Sequence, residues 1–302
     1  MKLKDIHLRD PFIFTDRIEA VYYLIGTDFP ESIADIEPHF SYYKSTDLVE
    51  WEGPTVLFQP ENGFWGCRNF WAPELHLIEG VYYLVASFKG AINTRRASLI
   101  LKADSPEGPY MPVSNEPITP LEWEALDATL YVDRSGVKWV IYCHEWTQNY
   151  YGRIAAQSLS DNLSSVTSEP HLLVDMQKQE YFRLFTDPRV NKKGYLTDAP
   201  FMFEWKECLY MMWSSYGDPA KGYSGGYTIN LTQSLSGDVL GPWSATEIVL
   251  DENIGHPSLF ETFSGERMIC AHNHDTEHGK ERPVLLRLDE VMQHFHGKGI
   301  AK

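Results

Sequence analysis

Leu196-Thr197-Asp198-Ala199-Pro200-Phe201-Met202-Phe203, followed by Leu209-Tyr210-Met211-Met212-Trp213-Ser214-Ser215, sets an acidic residue directly before an apolar strand-like run. A turn separates it from a second apolar strand that ends in small polar residues. The phrase recurs along the chain. Asp10-Pro11-Phe12-Ile13-Phe14 leads to Val21-Tyr22-Tyr23-Leu24-Ile25-Gly26-Thr27, and Ala72-Pro73-Glu74-Leu75-His76 leads to Val81-Tyr82-Tyr83-Leu84-Val85-Ala86-Ser87. Asp127-Ala128-Thr129-Leu130-Tyr131 precedes Trp139-Val140-Ile141-Tyr142, and His256-Pro257-Ser258-Leu259-Phe260 precedes Met268-Ile269-Cys270-Ala271-His272. With starts at Asp10, Ala72, Asp127, Ala199 and His256, the spacings are roughly 62, 55, 72 and 57 residues, a repeat long enough for several short strands.

Within each copy the second strand begins a hairpin's length after the start. Third strands follow, such as Phe40-Ser41-Tyr42-Tyr43 and Thr228-Ile229-Asn230-Leu231, and several units close on a turn ending in an aromatic, as at Gly241-Pro242-Trp243. Three or four short antiparallel strands repeated five times predict an all-β fold, a five-bladed β-propeller, with residues 1–302 as a single domain and blades starting near 10, 72, 127, 199 and 256. A β-sandwich gives no reason for an acid-Pro or His-Pro start to recur.

Composition narrows the partners. A formal net charge of −16 disfavours nucleic acid and anionic membrane surfaces, and suits a neutral or cationic ligand. No apolar run approaches a membrane span, and the opening Met1-Lys2-Leu3-Lys4-Asp5-Ile6-His7 lacks a signal-peptide core, so a cytoplasmic location is expected. Cys67, Cys143, Cys208 and Cys270 lie far apart without metal-type spacing, and the last three fall on or beside inner strands as small buried hydrophobes. Aromatics make up 14% of the chain; most are expected as blade core and some could instead be platforms for a ligand's rings, and composition alone does not separate the two.

In a propeller the innermost strands run beside one axis, so their equivalent ends converge on one face. Asp10 and Asp127 hold two of the five equivalent positions and Asp198 sits one residue ahead of a third. Carboxylates gathered there repel, and their pKa values separate, which suits one to act as base and another as acid.

These residues, Asp10-Pro11, Asp127-Ala128-Thr129-Leu130, Thr197-Asp198-Ala199-Pro200 and Gly255-His256, with Phe70-Trp71-Ala72-Pro73-Glu74-Leu75-His76, resemble glycoside hydrolase family 43 across essentially the whole chain. The resemblance implies a five-bladed propeller that hydrolyses arabinose- and xylose-containing plant polysaccharides with inversion. It implies Asp10 as general base, Asp127 as the second Asp that tunes and orients the acid, and Asp198 as general acid in the place of the family's usual Glu. It also implies His256 as an axial ligand to calcium or a similar ion, and Arg282 as a last-blade arginine that contacts substrate. Asp198-Ala199 departs from the family's Glu-Gly, shortening the acid by one methylene. An inverting pair keeps its carboxyls roughly 6.5–9.5 Å apart, a tolerance that accommodates the change.

The expected activity is an inverting glycosidase acting on α-L-arabinofuranosyl or β-D-xylosyl ends, and the alternative is a catalytically impaired propeller that only binds carbohydrate. Phe70 and Trp71 are expected to floor a subsite. Glu74 is expected to meet sugar hydroxyls or to salt-bridge a loop. Glu145, in Cys143-His144-Glu145-Trp146, is expected at the outer rim as a substrate contact and is the substitute acid should Asp198 not serve. His272, His274 and His278 are expected in substrate contact or packing. The segment 168–194, with Glu180, Asp187 and Arg189, is expected to wall one side of the pocket, and a short helix is expected at 289–294.

Overall fold

The computed structural model describes residues 1–28, 38–90, 95–187, 191–273 and 279–297. Blade one comprises β1 (Leu8–Asp16), β2 (Val21–Asp28), β3 (Phe40–Ser45) and β4 (Glu52–Phe58). Blade two comprises β5 (Gly66–Ile78), β6 (Val81–Gly90), β7 (Arg96–Ala103) and the short β8 (Met111–Pro112). Blade three comprises β9 (Ala125–Val132), β10 (Lys138–His144), β11 (Arg153–Ser158) and β12 (His171–Asp175). A two-stranded hairpin, β13 (Phe185–Asp187) and β14 (Lys192–Gly194), precedes blade four. Blade four is β15 (Asp198–Trp205), β16 (Cys208–Tyr216), β17 (Tyr227–Gln233) and β18 (Glu247–Leu250). Blade five has three strands, β19 (Ile254–Glu261), β20 (Arg267–Asn273) and β21 (Arg282–Arg287).

Each blade is an antiparallel meander, and the first strands touch in a closed circle: β1 with β5, β5 with β9, β9 with β15, β15 with β19, and β19 with β1. Closure makes this a five-bladed propeller and excludes the sandwich. The period-two alternation of a strand explains the core. On β2, Tyr23 and Ile25 pack toward blade two, whereas Tyr22 and Leu24 pack toward blade five. Equivalent clusters fill the other gaps between neighbouring blades, so inner strands are buried on both faces.

The ring is sealed by the chain's start. The Leu8 amide donates to the Glu281 carbonyl at 3.1 Å, and the Trp51 amide donates to the Met1 carbonyl at 2.8 Å. The expected C-terminal helix is present as the short helix Leu288–Met292.

All five repeat starts share one backbone device. Asp10, Ala72, Asp127, Ala199 and His256 have φ of 50°, 45°, 53°, 50° and 57°, the left-handed region that β-carbon-bearing residues seldom enter. At each one the register with the second strand slips, which marks a β-bulge. A bulge bends its strand and re-aims a side chain. Repeated five times at the same end of the innermost strands, it presents five side chains to the axis.

Candidate active site

Asp10 is the most heavily held of the axial residues. Its Oδ1 lies 3.0 Å from His256 Nδ1 and 3.4 Å from Arg9 Nε, and its Oδ2 accepts the Thr27 hydroxyl at 2.7 Å. Its amide donates to His272 Nδ1 at 3.1 Å. Burial opposes the charge on Asp10. The His256 cation and its hydrogen bond, together with Arg9, overcome that penalty and hold the carboxyl well below the usual range. His256 answers in kind. Burial works against its cation, yet Asp10, with Asp127 and Asp198 behind it, raises the imidazole to about 9.

Asp198, one residue before the blade-four bulge, accepts the Tyr227 hydroxyl on Oδ2 at 2.9 Å. The Tyr227 ring lies against Gly255, where a β-carbon would meet ring atoms at 2.3 Å, so this glycine is required for the approach. Phe185 of the β13–β14 hairpin stacks on Tyr216 at 4.7 Å, and Tyr216 packs on Tyr227 at 5.3 Å. Part of the segment expected as a wall therefore dries the Asp198 side of the site, and its earlier part supplies β12. Arg189 of that segment lies outside the described residues.

Burial, then the negative charge of Glu145, lifts Asp198 to about 6 against the opposing pull of His256, Arg9 and the Tyr227 hydrogen bond. The sequence reading names Asp127 as the cause of that lift; burial and Glu145 are the causes in the structure. Asp127 is itself pushed well above the ordinary range by burial, with Asp198, Asp10 and Glu145 adding to the push against the cation of His256. One face of the axis thus carries a carboxyl whose proton affinity is lowered and two whose proton affinity is raised.

Glu145 belongs to this face and not to the outer rim. It directly follows β10 and is buried. It caps the short helix Trp146–Asn149, accepting from the Thr147 amide and hydroxyl, and its Oε2 lies 3.3 Å from Arg96 Nη2. Arg96 in turn bonds Glu124 at 2.9 Å and stands over the Trp71 ring at 5.4 Å. Trp71 occupies in blade two the place that Asp198 holds in blade four, directly before the bulge.

Phe70 does not. It is buried against Phe88 at 4.9 Å and Phe40 at 5.4 Å, in the core between blades one and two. Arg282 is also displaced from the expected contact. Its Nε donates to the Lys4 carbonyl at 2.9 Å and its Nη1 to His7 Nδ1 at 2.9 Å, tying the N-terminal segment to blade five. Arg9 is the arginine that reaches the axial carboxylates, with Glu281 at 3.6 Å on its other side. Glu74 bridges blades, accepting the Thr129 hydroxyl at 2.6 Å beside His76 Nε2 at 2.8 Å. His272 serves as packing and acceptor, and His274 and His278 lie outside the described residues. The sequence reading assigns no role to Arg9, Thr27, Arg96 or Tyr227, and the last three come from second and third strands.

His256 commits Nδ1 to Asp10. Among the described residues no three His, Cys, Asp or Glu side chains form a metal-holding group. Calcium takes roughly six to eight oxygen ligands, so the described side chains supply no cage for it.

The family profile described as "Glycosyl hydrolases family 43" matches residues 4–289. The chain belongs to this family. It is a glycosidase, and its substrate is a carbohydrate. Among solved structures, an endo-arabinase from Bacteroides thetaiotaomicron VPI-5482 is 34% identical, with a TM-score of 0.85 over 95% of this chain and 96% of that one. An endo-1,4-beta-xylanase from the same organism (18% identical, TM-score 0.68, 93% and 90% covered) shares the fold. So does an alpha-L-arabinofuranosidase from Lactobacillus brevis (16% identical, TM-score 0.68, 95% and 94% covered). A search of curated protein sequences returned no match. No helix among the described residues is long and apolar enough to cross a membrane.

Proposed function

We propose that this family-43 glycosidase cleaves α-L-arabinofuranosyl linkages of arabinan-type chains with inversion, Asp10 serving as general base and Asp198 as general acid. One observation carries the assignment of roles. Two carboxyls on the same face of the axis are driven apart by their surroundings, Asp10 held ionised and Asp198 lifted to about 6. Such a split is how one site runs acid and base chemistry together near neutral pH. Water is activated by Asp10 and attacks the anomeric carbon, while Asp198 passes its proton to the departing oxygen. The step leaves Asp10 protonated and Asp198 ionised, and Asp10 loses a proton to solvent while Asp198 gains one from it before the next turnover. Asp127, whose proton affinity is raised by burial, limits the negative charge on the axis. The likeness to the endo-arabinase supports arabinan over xylan, and the xylosyl alternative rests on structures alike in fold alone. A calcium or similar ion would enter this reading only as a hydrated ion on Nε2 of a neutral His256, in place of the ring's second proton, and no step is routed through it.

The test uses the leaving group. A natural sugar alkoxide needs protonation, whereas an aryl leaving group with an acidic phenol needs little. Asp198→Asn loses at least about 10²-fold in kcat on a linear arabino-oligosaccharide and much less on the activated aryl arabinoside. Equal losses on both remove Asp198 as acid and turn the same experiment to Glu145. No turnover of either substrate by the parent protein leaves the binding-only alternative. Proton NMR of the first-formed product checks inversion, and product sizing separates cleavage at chain ends from cleavage within the chain.

A further inference from the structure

The propeller repeat relates five positions on the second strands, each paired with the residue that precedes a bulge. Thr27 pairs with Arg9, Ser87 with Trp71, Cys143 with Leu126, Ser214 with Asp198, and His272 with Gly255. Four of them accept the amide of the bulge residue in the next blade around. Ala72 donates to Thr27 at 2.9 Å, Asp127 to Ser87 at 2.9 Å, His256 to Ser214 at 2.9 Å, and Asp10 to His272 at 3.1 Å. The exception is Cys143. The amide in that gap, Ala199, turns to Asp127 Oδ2 at 3.4 Å.

Thr27 does a second thing. While it accepts from Ala72, it donates its own proton to Asp10 Oδ2 on its own blade at 2.7 Å. Asp10 and Asp127 occupy the same bulge position with nearly the same φ, so Cys143 stands to Asp127 as Thr27 stands to Asp10. The residues are alike in size but not in hydrogen bonding, because a thiol is a weak donor and a weak acceptor. A hydroxyl donated at 2.7 Å, as Thr27 gives Asp10, favours the carboxylate anion more strongly than an amide at 3.4 Å, as Ala199 gives Asp127.

We propose that Cys143 is a positioning residue that keeps the two repeat-related aspartates in different duties: by withholding the hydroxyl that Thr27 gives Asp10, it leaves Asp127 in contact with the Ala199 amide and out of the base's role. The inference rests on the proposed reading in which Asp10 is base and Asp127 is not. A hydroxyl at 143 reproduces the blade-one arrangement in blade three. The hydroxyl takes the Ala199 amide, as Ser87 and Ser214 take theirs, and donates to Asp127. Two carboxylates of the same kind then face one axis, where they repel.

Cys143→Ser makes this change with almost no change in volume, and Cys143→Thr supplies the same hydroxyl in the form blade one uses. Cys143→Ala removes the thiol without supplying a hydroxyl. Steady-state kinetics on an arabino-oligosaccharide are expected to show kcat about tenfold lower for the Ser and Thr variants, the worth of one hydrogen bond, with KM little changed. The Ala variant keeps kcat near that of the parent, and thermal melts establish that each variant folds. A packing role predicts the opposite order, with Ser harmless and Ala harmful. A Ser variant as active as the parent, or an Ala variant worse than Ser, overturns the inference. Asp10→Asn, measured alongside, separates the two levels. Full activity there removes Asp10 as the base and takes the underlying reading with it. Loss of activity there beside a fully active Ser variant sinks the Cys143 inference alone.

Discussion

Tyr227→Phe removes one hydrogen bond from the proposed acid and leaves the rest of the site in place. The ring is clamped between Gly255 and Tyr216, so phenylalanine occupies the same space. What is lost is the hydroxyl donated to Asp198 Oδ2 at 2.9 Å, a bond that favours the ionised carboxylate. Hydrogen bonds to charged groups are worth about 1.5–3 kcal/mol. One pKa unit corresponds to about 1.36 kcal/mol, so Asp198 rises by roughly one to two units in the variant. An acid must hold its proton to work, and activity falls as pH climbs through its pKa. The basic limb of kcat/KM against pH therefore moves upward, from about 6 in the parent toward roughly 7–8 in Tyr227→Phe. The assay is a kcat/KM profile on the oligosaccharide from pH 4 to 9 (roughly the span over which such limbs resolve). A basic limb that stays in place or moves downward refutes the coupling of Tyr227 to the acid.

Asp10→Asn is expected to cut kcat by about 10²–10⁴-fold, the usual loss for a general base, as initial rates would show. It also lowers Tm, because buried His256 loses its partner. The two groups set the window for that loss. Asp10 lies below its ordinary 3.8 in the fold, so its share of the pair is present above that pH. His256 is raised from 6.5 to about 9, so its share is full below 6.5 and lost as pH rises through about 9. The Tm gap between parent and variant is therefore widest between those two ordinary values and closes toward pH 9 and above; a gap that grows with alkali would contradict the pairing. For the proposed hydrated axial ion, chelation should lower Tm and added Ca²⁺ should restore it, and a melt indifferent to both removes the ion from the reading.

The repeat starts were legible because an acid, alanine or histidine before a small residue or proline, then an apolar run, is a local pattern. The bulge beneath that pattern was not, since an alanine at positive φ, as at Ala72 and Ala199, leaves no mark in the sequence. Arg9 was readable, being adjacent to Asp10. Tyr227 and Arg96 were not, because strand order alone brings a third-strand residue over a first-strand carboxylate. Phe70 was assigned to the site on its adjacency to Trp71. Neighbours along an extended strand point to opposite sides, so the pair could not both face the sugar. Glu145 was misplaced for a different reason. The end of a second strand returns to the face where the first strand begins, an antiparallel consequence that was available from the hairpin reading itself.

The ring of bulges has five seats, and only three hold a titratable side chain: Asp10, Asp127 and His256. Ala72 and Ala199 sit in the other two with the same backbone twist, and each contributes a methyl group. The scaffold has already met the conformational cost of those two seats. A carboxylate or imidazole placed at either would be delivered to the axis by the existing frame, without rebuilding a loop. The geometry that addresses the axis is therefore separable from the chemistry it now carries.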